Sequence, residues 1–197
     1  IGSVYPSLPG ETDIQMGNVS KLVYYSQMTP AKLPKIAKEL EKRAHEYLKP
    51  PRRPALVVVT MQTFQELVRG CRENLPLFEE TLLRMIEGLS EDPTSPELRG
   101  VAADTFVVYT TALDSSVAAA AASRANFDRF AAVFVGFCRS TNSPVSLRVK
   151  GLRGLRACVR ALELREDLCA FVTRGGSGVG AAFLGNIRRS ETVREFE

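Results

Sequence analysis

Lys32, Lys35, Lys38 and Lys42 recur every three or four residues early in the chain, and ammonium groups so spaced are suited to holding phosphate. On a helix they form one positive stripe. Leu33, Ile36, Ala37, Leu40, Ala44 and Leu48 follow the same rhythm on another face, as a helix with a core side requires. Arg43, Lys49, Arg52 and Arg53 extend the run, so the stretch from Thr29 to Arg53 holds eight Lys or Arg against three acids, Glu39, Glu41 and Glu46. Long cationic side chains can lay their stems on protein and bring their heads to anionic headgroups. A solvated helix face, partly neutralised by the glutamates, is the plainer use of the same pattern.

No catalytic constellation in the chain competes with this stretch. His45 is the single histidine and has no ligand partner at a metal-site offset, so no catalytic residue, metal ligand or cofactor site is assigned. Gly175, Gly176, Gly178 and Gly180 lack the Gly-Lys-Ser or Gly-Lys-Thr ending of a phosphate loop, and no clear strand precedes them. A second basic segment, Arg148, Lys150, Arg153, Arg156, Arg160 and Arg165, interleaves with Leu147, Leu152, Leu155, Val159 and Leu162. Its arginines suit either phosphate or the carboxylates of a neighbouring helix, and bidentate pairing favours the second use. Nucleic acid is disfavoured as a partner, because no aromatic residues interleave with this segment and no zinc or helix-turn-helix signature is present.

The elements that must position these residues are helices. The 197 residues, 45% of them hydrophobic, suffice for one domain with a substantial core, and the formal charge of +4 leans toward anionic partners. Cys71, Cys138, Cys158 and Cys169 have no pair spacing and read as buried free thiols in a reducing compartment. No apolar run reaches the ~18 residues of a membrane span, and no signal peptide is recognisable. The sequence opens on Ile1 without Met and reads as a fragment or a processed product.

Residues 1–17 read as an irregular lead-in. Helical spacing then predicts seven helices: Val19 to Gln27, Thr29 (as cap) to Leu48, Pro54 to Arg69, Leu75 to Leu89, Glu97 to Ala112, Asn126 to Arg139 and Val145 to Glu163. Val57, Val58, Val59 and Thr60 imitate a strand, but the helical rhythm continues beyond them. Residues 114–123, with five consecutive alanines, read as a linker; 172–180 form a Gly-rich loop, and a last helix is expected around Ala181 to Arg194. Helix after helix, with short proline-marked turns and no crisp period, fits a single all-α, armadillo/HEAT-like helical-repeat solenoid over 1–197, with a compact bundle as the alternative.

The stretches GNVSKLVYYSQMTPAKLPKIAKELEKRAHEYL and ALVVVTMQTFQELVRGCRENLPLFEETLLRMI resemble the N-terminal region of the rolling-blackout family. LRGVAADTFVVYT and SLRVKGLRGLRACVRALELREDL resemble its later segments, in order, over about Met16 to Leu168. The resemblance implies a helical rod and a non-enzymatic peripheral scaffold at the cytoplasmic face of the plasma membrane. It implies contact with anionic phospholipids of the cytosolic leaflet through a basic patch, matched here by Lys21, Lys32, Lys35, Lys38, Lys42, Lys49, Arg52 and Arg53. It also implies recruitment of a phosphatidylinositol 4-kinase complex, whose adaptor contacts the C-terminal part of the longer family members. The membrane-directed N-terminal cysteines of that family have no counterpart before Cys71. Two other uses stay open from the residues alone: a protein-only adaptor gripping acidic segments, and a nucleic-acid-binding repeat module.

Overall fold

Prolines start three of the helices. Pro34 sits in the first turn of α2 (Leu33–Leu48), and α3 (Pro54–Gly70) and α5 (Pro96–Ala112) each begin on a proline, where the missing N–H costs no hydrogen bond. The structure is a computed structural model and describes residues 1–6, 13–113, 121–140 and 143–163, with the side chains of 121–126 and 162–163 outside that description. The remaining helices are α1 (Met16–Met28), α4 (Glu79–Ser90), α6 (Ala121–Arg139) and α7 (Val145–Glu163). Among the described residues there is no strand. The Gly-rich loop, the expected last helix, Cys169 and Arg165 lie outside the described residues, as does 114–120 of the expected linker; 121–123 open α6.

The chain divides into two compact units, 1–112 and 113–197. In the first, α3 lies at the centre and packs against α1, α2 and α5, while α4 packs against α5 and α2. The Val57–Thr60 run is helical. Thr60 and, beyond the run, Thr63 are buried without penalty because they donate to the carbonyls of Leu56 and Val59 at 2.9 Å each. Val57, Met61, Phe64 and Val68 face the core as their spacing predicts. In the second unit α6 and α7 pair closely, and Phe127, Phe130, Phe134 and Phe137 are all buried. Gly154 makes that pairing possible: a Cβ there would stand 2.6 Å from the Phe134 ring. Burial pushes the Cys138 thiol up to about 11, so Cys71, Cys138 and Cys158, all free and buried, stay protonated at neutral pH.

Three local expectations need correction. Thr29 gives no side-chain cap; a short 3-10 turn, Pro30–Lys32, leads into α2 instead. The fourth helix begins at Glu79, because Pro76 holds Arg72–Leu77 in a 3-10 segment. The lead-in is partly core: Val4 and Tyr5 are only 1% and 5% exposed. Tyr5 meets Tyr47 edge-on with centroids 5.4 Å apart, lies under the Arg43 guanidinium, and shares a 2.9 Å hydrogen bond with Thr60. Burial pushes its phenol up to about 12.

Candidate functional site

The basic helix separates its charges by residue type. Arg43 bonds Glu39 at 3.0 Å one turn back, and Arg84 of α4 takes Glu41 with two hydrogen bonds of 2.8 and 3.2 Å. Planar guanidinium forks suit such pairing. The acids that would have neutralised the lysine stripe, Glu39 and Glu41, are thus held by arginines. Lys32, Lys35, Lys38 and Lys42 are exposed, and none forms an ion pair with a described residue.

These four lysines line one open groove of about 520 Å3, together with Tyr25, Ile36 and Glu39. Two features of the sequence bring them there. Lys35, Lys38 and Lys42 fall within a narrow arc of α2 by the geometry of the helix. Lys32 enters from the 3-10 turn before it, and Tyr25 enters from α1. The groove is therefore a cationic surface with an apolar floor. Several ammonium groups on one surface favour an anionic partner over a neutral one.

The other candidates lie elsewhere. Lys21 is exposed on α1, one turn before Tyr25. Lys49, Arg52 and Arg53 stand beyond the C-terminal end of α2, roughly 20 Å along its axis from Lys35. Arg52 is committed to the protein: its guanidinium bonds the Asp92 carboxylate and the Thr94 hydroxyl, joining the α2–α3 loop to the α4–α5 loop. Asp92 also accepts the backbone N–H groups of Thr94 and Ser95 at 2.9 Å each, and Ser95 caps α5 through the Leu98 N–H. Burial disfavours the Asp92 charge, but Arg52, Thr94 and Ser95 outweigh it and hold the carboxyl down at about 2.

Pairing of the α7 arginines with carboxylates of α6 is not seen for Arg153, Arg156 and Arg160 among the described residues. They are exposed and form no ion pair with the described residues, since α6 offers a single acid, Asp128. Among the described residues no group of three or more His, Cys, Asp or Glu is arranged to hold a metal ion, and no helix is long and apolar enough to cross a membrane.

Sequence reasoning overlooked one part of this site and one packing feature that places α1. One is Tyr25 in the wall of the groove, although its spacing from Lys21 on α1 was legible. The other is Gly70, whose missing Cβ lets Val23 of α1 approach; an added Cβ would meet Val23 Cγ1 at 2.3 Å. Gln27 fixes the same crossing by donating to the Gly70 carbonyl at 2.8 Å.

The family model described as EFR3, armadillo repeat, matches residues 19–170. The all-α architecture is therefore of the armadillo/HEAT helical-repeat kind, and the resemblance read from the sequence holds at the level of family. The chain is 28% identical over 164 residues to Protein EFR3 homolog cmp44E of Drosophila melanogaster, covering 81% of this chain and 19% of that protein. It is 24% identical over 171 residues to Protein EFR3 homolog B of Homo sapiens, with the same two shares, 81% and 19%. Against Protein EFR3 of Cryptococcus neoformans it is 31% identical over 116 residues, 50% of this chain and 11% of that one. The chain thus spans about a fifth of the length of its animal relatives, by the 19% share. No solved structure matches it.

Proposed function

The chain belongs to the EFR3 armadillo-repeat family, and from that premise we propose that it is the membrane-facing portion of a non-enzymatic peripheral scaffold. Its lysine groove docks on the anionic phospholipids of the cytosolic leaflet of the plasma membrane. The full-length protein then holds a phosphatidylinositol 4-kinase complex next to its lipid substrate, so the mechanism is proximity. The observation that carries this reading is the convergence of Lys32, Lys35, Lys38 and Lys42 on one groove while nearby Glu39 and Glu41 are held by Arg43 and Arg84.

Each lysine contributes about 1 kcal/mol near an anionic surface, so docking needs several together and weakens as salt screens them. Liposome flotation tests it. The chain floats with vesicles containing phosphatidylserine and not with pure phosphatidylcholine. Combining Lys35→Glu, Lys38→Glu and Lys42→Glu removes flotation while the helical circular dichroism spectrum is kept. Equal flotation of the variant would remove the groove from the mechanism. Indifference of the unaltered chain to vesicle charge would instead favour the protein-only adaptor.

A further inference from the structure

Helix α1 is apolar on two opposite faces. Val19, Leu22, Val23 and Ser26 share one, and it is a core face: Val19 and Ser26 are buried, and Leu22 and Val23 pack against the cluster of Val4, Tyr5, Val19 and Val59. Ser26 tolerates burial because its hydroxyl donates to the Leu22 carbonyl at 2.8 Å. The other face carries Lys21, Tyr24, Tyr25 and Met28, at positions i, i+3, i+4 and i+7. That spacing ordinarily marks a buried stripe. Here Tyr24 is 64% exposed, Tyr25 48% and Met28 68%.

The stripe is not isolated. Tyr25 belongs both to it and to the wall of the lysine groove, so apolar and cationic surfaces are continuous. Tyrosine and methionine headed by a lysine match the boundary between lipid headgroups and acyl chains: apolar ring bodies go inward, and hydroxyl and ammonium tips stay in the polar layer. A second copy of the chain is a poor occupant, because a symmetric contact would press the same lysines against each other.

We infer that Tyr24, Tyr25 and Met28 form an interfacial anchor that inserts into the headgroup–acyl boundary of an anionic bilayer once the lysine groove has docked. The inference rests on the reading under Proposed function and adds a part of the binding that salt does not screen. Groove charges supply attraction from a distance, which fades with ionic strength. Burial of the stripe supplies retention, which does not.

The chain contains no tryptophan, so Tyr24→Trp introduces a single fluorescent reporter in the stripe. With vesicles of phosphatidylcholine and phosphatidylserine, its emission is expected to shift to shorter wavelength and to be quenched when the acyl chains are brominated. A second variant combining Tyr24→Ser, Tyr25→Ser and Met28→Ser is expected to lose roughly tenfold in vesicle partitioning, and to lose the binding that survives at high salt. Co-sedimentation of the tryptophan variant with unshifted, unquenched emission would overturn the anchor and leave the charge-driven reading intact. No co-sedimentation even at low salt would overturn both. A shift that appears without vesicles and grows with protein concentration would show that a second copy covers the stripe, and would equally overturn the anchor.

Discussion

The two ends of the basic run differ in what their charges face. At the N-terminal end Lys32, Lys35, Lys38 and Lys42 open onto one groove and have no carboxylate partner among the described residues. At the other end Arg52 is locked to Asp92 and Thr94, and braces two loops of the repeat. A run of like charges in sequence is thus two devices in space. The division follows chemistry: the guanidinium groups of Arg43, Arg52 and Arg84 hold the protein's own acids, Arg84 with two hydrogen bonds to Glu41, and the point charges of Lys32, Lys35, Lys38 and Lys42 remain outward.

The largest effect expected from breaking this contrast is on binding. Reversing Lys35, Lys38 and Lys42 removes three attractions and adds three repulsions, so affinity for anionic vesicles should fall by about a hundredfold or more. Thermal stability should hardly move, because the three ammonium groups make no ion pair with the described residues.

The opposite result is expected from Asp92→Ala. It removes the carboxylate that holds Arg52, Thr94 and Ser95, and stability should drop by about 2 kcal/mol in denaturant titration, with vesicle binding kept. The pH dependence has a definite sign. Asp92 titrates at about 2 in the fold, below its ordinary 3.8, so its contribution is complete above the ordinary value and is lost as pH falls toward 2. The Asp92→Ala protein should lack that part of the acid sensitivity. Acid titrations of the two proteins that superimpose would count against the brace.

Gly70→Ala should cost about 1–3 kcal/mol, since the new methyl group collides with the stiff Val23 side chain. Its diagnostic is local: hydrogen exchange should quicken in α1 before it quickens in α5. Smallest of all should be Lys49→Glu with Arg53→Glu, which lie beyond the far end of α2. Vesicle affinity should fall by no more than about threefold, a long-range effect that salt removes.

The helices were readable because an amphipathic stripe states its own period, and proline and turn residues mark its ends. The phenylalanine ladder of α6 and the core positions of α3 follow from spacing alone. What spacing hides is any partner distant in the chain. Arg52 and Asp92 are 40 residues apart, and Arg84 and Glu41 are 43 apart. From sequence, therefore, Arg52 looked as available as Lys35. The burial of Val4 and Tyr5 was illegible for a related reason: a turn-rich segment whose apolar residues, Ile1, Val4, Tyr5 and Ile14 among them, are irregularly spaced has no period to betray a core. Tyr24, Tyr25 and Met28 were legible as a stripe, yet only the fold tells which of the two apolar faces of α1 meets protein.

The central claim is that one end of the basic run meets the membrane and the other does not. Flotation with vesicles of graded phosphatidylserine content, at low and at physiological salt, tests it by comparing the Lys35, Lys38 and Lys42 charge-reversal variant with the Lys49 and Arg53 one. The account predicts that the first variant stays at the bottom of the gradient at every lipid charge, and that the second floats nearly as the unaltered chain does. Equal losses in the two variants, or a greater loss in the second, would contradict it.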